Sequence, residues 1–251
     1  VLDGIFLHFA FPTMSTSRSL SLPDVYGRAL ADYYYGQPTE PLWVHTSYGT
    51  REEMPVDWFF RELEDFPKLE QYALSLCRGT ILDIGAGVGS HALALQQLGL
   101  EVIAIERSAE ACRIMQDRGV KQWRADSYKE YDGPLVDTVL MLMNGIGLIG
   151  SLSNLPSFLA WTKHRIKPGG QLIFDSSDIS YLFDRQNKPA DYYYGEVQFQ
   201  YEYREEYGEW FSWLYIDFDT LRQAGRQSGW EVQRIYEDET QQYLARLTRV
   251  S

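Results

Sequence analysis

One stretch constrains this chain more than any other: Ile81-Leu82-Asp83-Ile84-Gly85-Ala86-Gly87-Val88-Gly89-Ser90. The apolar run Thr80–Ile84 reads as a buried strand, and Ser90–Leu98 reads as a helix stopped by Gly99. Three alternate glycines stand between them. Glycine is needed where backbone turns tightly or approaches a ligand with no Cβ in the way. The helix beyond offers free N–H groups at its first turn. A dinucleotide fingerprint, G-x-G-x-x-G, would put a glycine at position 90, where this chain has Ser90. It carries an acid instead, Asp83, two residues before the first glycine. Alone, such a loop also fits an ordinary tight turn between strand and helix.

The pattern that follows alternates. Glu101–Glu106 reads as strand, Ala109–Arg118 as helix stopped by Gly119, Val120–Arg124 as strand and Val136–Met143 as a strongly apolar strand. Leu155–Arg165 reads as helix and Gln171–Asp175 as strand. Strands alternating with helices predict a parallel sheet with right-handed crossovers. After Asp175 the character changes. Glu196–Glu206 alternates, with Val197, Phe199, Tyr201 and Tyr203 on one face. Tyr207-Gly208-Glu209 reads as a turn, and Trp210–Asp217 returns with Trp210, Phe211 and Trp213. A helix, Phe218–Gln227, and two adjacent strands, Trp230–Glu237 and Gln241–Thr248, close the chain. Upstream, residues 22–78 read as helical. Asp24 is expected to cap a helix through Tyr35, and Phe66–Cys77 to form a second.

The expected fold is α/β: a Rossmann-like, seven-stranded, mostly parallel sheet with helices on both faces, a helical N-terminal cap and an inserted antiparallel β-hairpin. The expected division is a cap over residues 1–65 and a main domain over 66–251, with the hairpin at about 190–217. That hairpin carries too much aromatic surface to leave exposed. It is expected to cover the site together with Tyr33–Tyr35; the alternative is a homodimer interface.

Composition narrows the partners. The formal charge is −12, from 23 Lys+Arg against 35 Asp+Glu. Binders of nucleic acid or anionic membrane need a basic surface to replace counterions, and no basic run exists here. Cys77 and Cys112 show no metal-ligand spacing, so no metal is expected, and a reduced, cytoplasmic protein is the simple reading. No stretch is long enough to span a bilayer. The apolar start, VLDGIFLHFAFPT, carries Asp3 and no basic lead-in, unlike a signal peptide. Met14 opens an ordinary-looking start, so residues 1–13 read equally as upstream translation or as part of the protein.

Glu106 ends the strand after the glycine loop, 21 residues beyond Gly85, where an acid can accept from vicinal ribose hydroxyls. A solvated strand-end carboxylate is the alternative. With these residues in order, the chain resembles the class I S-adenosylmethionine (SAM)-dependent methyltransferases over about residues 66–176. The motifs that carry the resemblance are Asp83 with Gly85, Gly87 and Gly89, then Glu106, Asp126 after the third strand, Met141–Gly145 after the fourth, and the Lys167-Pro168-Gly169-Gly170 turn. The resemblance implies SAM as cofactor and methyl transfer to an unidentified, small-molecule acceptor. It implies that Gly85, Ala86 and Gly87 lie against the methionine and ribose, and that Asp83 receives the ammonium. Glu106, beside Arg107, would hold the ribose. Asp126 and Ser127 would meet the adenine, and Asn144 would flank the sulfonium. Arg61, upstream, can reach the SAM carboxylate or form a surface ion pair.

One departure matters. Amino-methylating nucleic-acid enzymes of this fold carry N-P-P-[YF] where this chain has Asn144-Gly145-Ile146-Gly147. The chemistry asks for little beyond alignment, and for a base only if the nucleophile carries a proton. His45, His91 and Asp178 are the candidate bases; His91 also reads as a first-turn helix residue packed beside the loop. The competing functions are a SAM-binding sensor or scaffold without turnover, a NAD-dependent oxidoreductase, and an aminopropyltransferase. Ser90 counts against the second. Asn144–Gly150 lacks the acids a polyamine site needs, which counts against the third.

Overall fold

The computed structural model describes residues 23–183, 189 and 191–250, so the alternatives for residues 1–13 lie outside the described residues. Helix α1, Val25–Tyr34, begins at Asp24, whose carboxylate accepts from the Gly27 N–H as the sequence predicts. Two strands follow, β1 (Leu42–Thr46) and β2 (Glu52–Met54), then helix α2 (Lys68–Leu76). The segment expected to be helical therefore holds a short antiparallel ladder in its middle. Helical periodicity is the stronger signal in sequence, and five residues of alternation in β1 give little against it.

The main sheet is built from β3 (Thr80–Ile84), β4 (Glu101–Glu106), β5 (Trp123–Ala125), β6 (Val136–Met141) and β7 (Ile166–Ser177). Helices α3 (Ser90–Gln97), α4 (Ala109–Arg118) and α5 (Leu155–Lys163) connect them. Ser108 caps α4 by accepting from the Ala111 N–H, and Gly119 ends it in the left-handed conformation. β7 is longer than its sequence suggests. Val136 pairs with Ile166 and Thr138 with Gln171, so Lys167–Gly170 bulge out of a strand that continues on both sides.

An antiparallel insertion follows: β8 (Glu196–Tyr203), β9 (Glu206–Tyr207) and β10 (Phe211–Leu214). Its tight turn lies at Arg204–Glu205, both at positive φ, and not at Tyr207–Glu209. Positions 208–210 instead interrupt the returning strand, which shifts register by one between Tyr207 and Phe211. That irregularity turns Trp210 outward, 53% exposed, away from the face the sequence assigned to it. Helix α6 (Phe218–Gln227), β11 (Trp230–Glu237) and β12 (Gln242–Arg249) complete the chain.

Two sheets result. The seven-stranded sheet runs β11-β12-β7-β6-β3-β4-β5, with β12 antiparallel to its neighbours. Alternation along β3 sends Ile81 to a core with α2, α3 and α4, and Leu82 and Ile84 to a core with α5 and α6. The strand order reverses between β3 and β6, so the ligand crevice of this fold opens at their carboxyl ends. The second sheet runs β10-β8-β1-β2, with β9 also paired to β8. Cap and insertion are thus knitted into one sheet, with Trp43 opposite Glu202 and Thr46 opposite Phe199. Helix α1 lies between the layers. Val25 and Ala29 pack with Leu42 and Tyr203 of the second sheet, while Leu30 packs with Val88, Ala111 and Ile114 of the first.

Asp24 also accepts a 2.6 Å hydrogen bond from the Ser108 hydroxyl, joining the first turns of α1 and α4. Asp24→Ala should lower stability by about 1–2 kcal/mol, the upper range for loss of an N-cap. A shift in the urea midpoint at unchanged slope is the expected result.

Candidate active site

The loop after β3 is tied down from below. The Gly85 and Ala86 N–H groups both donate to the Ile105 carbonyl of β4, at 2.9 and 3.0 Å. Gly85 and Gly87 have φ of +75° and +55°, a region that disfavours a Cβ. A Cβ on Gly85 would stand 2.5 Å from Leu148 Cδ1, and one on Gly87 would stand 3.3 Å from the Tyr26 hydroxyl. The loop backbone therefore forms a bare wall, and above it lies a cavity of about 880 Å³.

Glu106 organises one end. Its Oε2 accepts from the Gly87 N–H at 3.0 Å, and its Oε1 accepts from the Arg107 and Ser108 N–H groups at 2.7 and 2.9 Å. Burial pushes its pKa up, and these three donors partly offset that. Asp83 lies beneath the loop, 2% exposed, with Oδ2 lacking any hydrogen-bond partner. Burial raises its carboxyl to about 6, against a smaller lowering by His91.

Beside it runs a buried ion network. Glu70 of α2 binds Arg61 Nη2 at 3.0 and 3.2 Å and shares a 2.8 Å hydrogen bond with His91 Nε2. Burial alone would raise the Glu70 pKa, but His91 and Arg61 outweigh it and the net shift is downward. Arg61 Nε donates to the Trp58 carbonyl, so Nη1 takes part in neither contact.

The roof comes from the second sheet and α1. Tyr26 stacks on Tyr201 with ring centroids 5.3 Å apart and meets Phe59 edge-on. Tyr201 and Phe211 follow at 5.2 Å. The Trp213 indole covers Gly147, where an added Cβ would stand 2.1 Å from Nε1. The floor at this end is the turn after β6. Met143 and Asn144 are successive residues at φ near +60°, a costly conformation without glycine. Asp175, at the adjacent position of β7, fixes it by accepting from the Asn144 N–H through both oxygens, at 2.9 and 2.8 Å.

Of the residues singled out by resemblance, Asp83, Gly85, Ala86, Gly87, Glu106, Arg107 and Arg61 border the cavity. Asp126, Ser127 and Asn144 do not. Asp126 sits one strand over, its N–H bonded to the Glu106 carbonyl. Ser127 caps the short turn Tyr128–Glu130, and its N–H is taken by Glu130. The left-handed turn carries the Asn144 side chain out of the cavity lining, with Tyr215 as a polar neighbour. Among the three candidate bases only His91 borders the cavity. His45 is in the second sheet, paired with Glu202 at 2.5 Å. Asp178 accepts from the Tyr194 hydroxyl and the Ser180 N–H. Tyr33 and Tyr34 pack on Phe60, and Tyr35 donates to Asp117, so the first tyrosine triplet braces α1 and does not line the cavity. Sequence reasoning missed Tyr26, Glu70 and Asp175. The one available signal was for Tyr26, two residues after a recognisable cap.

A methyltransferase-domain family model matches residues 58–235. A solved SAM-dependent methyltransferase from Bacteroides fragilis, in complex with S-adenosyl-L-homocysteine, is 42% identical to this chain. The match covers 92% of this chain and 98% of that one, with a TM-score of 0.85. Two further structures share the fold at low identity. A SAM-dependent methyltransferase from Clostridium acetobutylicum is 14% identical, with a TM-score of 0.54 over 75% of this chain and 94% of its own. The CcbJ methyltransferase from Streptomyces caelestis is 12% identical, with a TM-score of 0.58 over 76% of this chain and 99% of its own. No match is found among the curated proteins.

Asp83 couples this site to stability. Its folded pKa of about 6 exceeds the ordinary unfolded value of about 3.9, so the folded state binds its proton more tightly. Stability is then lost as pH rises from about 4 to about 6. Asp83→Asn removes that term. Relative to the parent chain it should gain nothing near pH 4 and about 2–3 kcal/mol by neutral pH. Denaturant midpoints of the two proteins across this range would check it; a constant difference would show that Asp83 is not the titrating group.

Proposed function

The chain belongs to the SAM-dependent methyltransferases, and from that premise we propose that it methylates a small-molecule acceptor enclosed beneath the second sheet. SAM is the methyl donor, and methyl transfer is the activity. The observation that carries the proposal is the shared cavity. The glycine loop, Asp83 and Glu106 form one wall, while Tyr201, Phe211 and Trp213 form the opposite one. A space of about 880 Å³ accommodates a nucleoside-sized donor and a small partner.

The residues present fit the donor. The bare loop backbone at Gly85 and Gly87 allows close approach. The unpartnered Oδ2 of Asp83 is an acceptor awaiting a donor such as an ammonium, directly or through water. The Glu106 carboxylate retains acceptor capacity on Oε2 for a ribose hydroxyl. Arg61 Nη1 is free to meet a carboxylate while Glu70 steadies the rest of the guanidinium. The bound sulfonium supplies an activated methyl group and a good leaving group. The protein then has to align and to exclude water, which the roof over Met143 and Leu148 does. Asp126, Ser127 and Asn144 serve at one remove in this reading, by shaping the edges of β5 and β6.

The net charge of −12 argues against nucleic acid as the acceptor. No helix among the described residues is long and apolar enough to cross a membrane, and no group of His, Cys, Asp and Glu among them can hold a metal ion. Cys77 and Cys112 are both free and buried, as suits the reducing cytoplasm we propose. The aromatic face of the insertion is covered within the chain, by α1 and the turn after β6, so we favour a roof over a homodimer interface.

Two experiments test this. Incubation with methyl-labelled SAM and a cell extract should place label in the small-molecule filtrate after ultrafiltration. Label confined to retained macromolecules would reject the acceptor class. Glu106→Gln should weaken S-adenosylhomocysteine binding by about 1.5–3 kcal/mol by calorimetry, because the amide loses charge and turns a donor toward an N–H. An unchanged dissociation constant would remove Glu106 from the cofactor site.

A further inference from the structure

Beside the glycine loop stands a charged unit that the fold does not require. Arg61, Glu70 and His91 come from three separate segments: the turn after the short helix Val56–Phe60, helix α2 and the first turn of α3. Glu70 is 6% exposed and His91 8% exposed. Taking such groups out of water is costly, and apolar replacements of similar volume are often as stable or more so. Stability is therefore a weak reason for a chain to carry them, and a geometric role is the better one.

Glu70 sets the geometry of both partners. Burial would raise its pKa, but His91 and Arg61 hold it below the ordinary carboxylate value. A carboxylate only accepts, so the hydrogen shared at 2.8 Å sits on His91 Nε2. Arg61 Nη2 donates to both Glu70 oxygens, and its Nε donates to the Trp58 carbonyl at 2.8 Å. With Nε and Nη2 both held, the plane and heading of the guanidinium are fixed, and Nη1 is left over. The Phe66 ring covers the unit, with its centroid 5.6 Å from Arg61 Cζ and 4.8 Å from the His91 ring centroid. Arg61, His91 and Asp83 all border the cavity.

We propose that Glu70 is the positioning residue through which the donor site selects ligands that carry the amino-acid carboxylate. The inference rests on the reading of this cavity as the SAM site. Glu70 does not touch the donor. It holds Arg61 so that Nη1 meets the carboxylate with no free side chain left to order. Its bond to His91 ties Arg61 to the helix that starts at the glycine loop, and so keeps the carboxylate end in register with Asp83 and the ammonium. A lysine in place of Arg61 would keep the charge, but it could not serve Glu70 and the ligand in two fixed directions. A nucleoside thioether without the carboxylate gains nothing from this arrangement.

The test uses the full chain and calorimetry with S-adenosylhomocysteine and its decarboxylated analogue, which keeps the ammonium and lacks only the carboxylate. The parent chain should prefer S-adenosylhomocysteine by about 10- to 100-fold, the range for hydrogen bonds to a charged group. Glu70→Gln turns an amide donor toward either Arg61 or His91. It should weaken S-adenosylhomocysteine by about tenfold and leave the analogue's affinity unchanged. Arg61→Lys, at a partly exposed position, should lose the same preference, and it reports even if Glu70→Gln does not fold. In the double variant the two losses should not add. The cycle on S-adenosylhomocysteine alone decides the matter where the analogue binds too weakly to measure. Equal weakening of both ligands by Glu70→Gln would show a merely structural role and overturn the proposal. So would full preference retained by either variant, additive losses in the cycle, or a parent chain that binds both ligands equally. A parent chain that binds neither would instead overturn the reading of the cavity itself.

Discussion

The Glu106 carboxylate is the point on which this architecture turns. It ends β4, and it accepts from the glycine loop at Gly87 and from the first residues of the next connection, Arg107 and Ser108. One side chain thereby fixes two adjacent βα turns relative to each other. Ser108 passes the constraint on, through its hydroxyl, to Asp24 and so to α1. Helix α1 carries Tyr26 over the loop and supports the second sheet through Val25, Ala29 and Tyr26. Remove the carboxylate and three backbone donors lose their partner, at a site where roof and floor are both registered to it. The cost would fall on loop geometry as well as on any direct contact to ribose.

A second constraint works from the other side of the switch point. The turn after β6 stands on two non-glycine residues in the left-handed region, Met143 and Asn144, and Asp175 holds the amide that makes this possible. Burial raises the Asp175 pKa to about 6, with the Asn144 N–H and the Gln242 amide pulling the other way. Gly147 beyond it is bare so that Trp213 can lie flat. Floor and roof of the acceptor end are thus fitted to one another residue against residue.

The parts of this plan that follow local rules were legible in sequence. The strands at Thr80–Ile84 and Glu101–Glu106 and the helices at Ala109–Arg118 and Phe218–Gln227 have the expected ends, because caps, glycine stops and apolar periods are local. Asp83, Gly85, Gly87 and Glu106 were legible because a βα unit fixes their spacing. What sequence hid is what depends on distant partners. β1 is five residues long and makes sense only beside β8. The Arg204–Glu205 turn uses two residues that rarely accept positive φ, while nearby Gly208 advertises a turn that the chain does not make there. Asn144 sits at the right position in the order of motifs, yet its backbone conformation aims it elsewhere. Nothing in the sequence around Glu70 says that it will join Arg61 to His91.

The second sheet has a consequence for how the chain becomes active. His45 and Glu202, bonded across β1 and β8, are 157 residues apart, so the roof closes one of the longest loops the chain can make. Such contacts form late, because the entropy of closing the loop is recovered only when the intervening sheet already holds the ends close. The pairings within the main sheet join strands closer in sequence, β3 with β4 and β6 with β7, so the pairing of β8 with β1 carries the larger closure cost. In the finished protein the same ladder is a natural unit of sub-global opening, one whose amides would exchange with solvent well before those of β3 or β6. A site roofed by a layer with its own ladder and its own small core can admit and discharge ligands without loosening the core beneath.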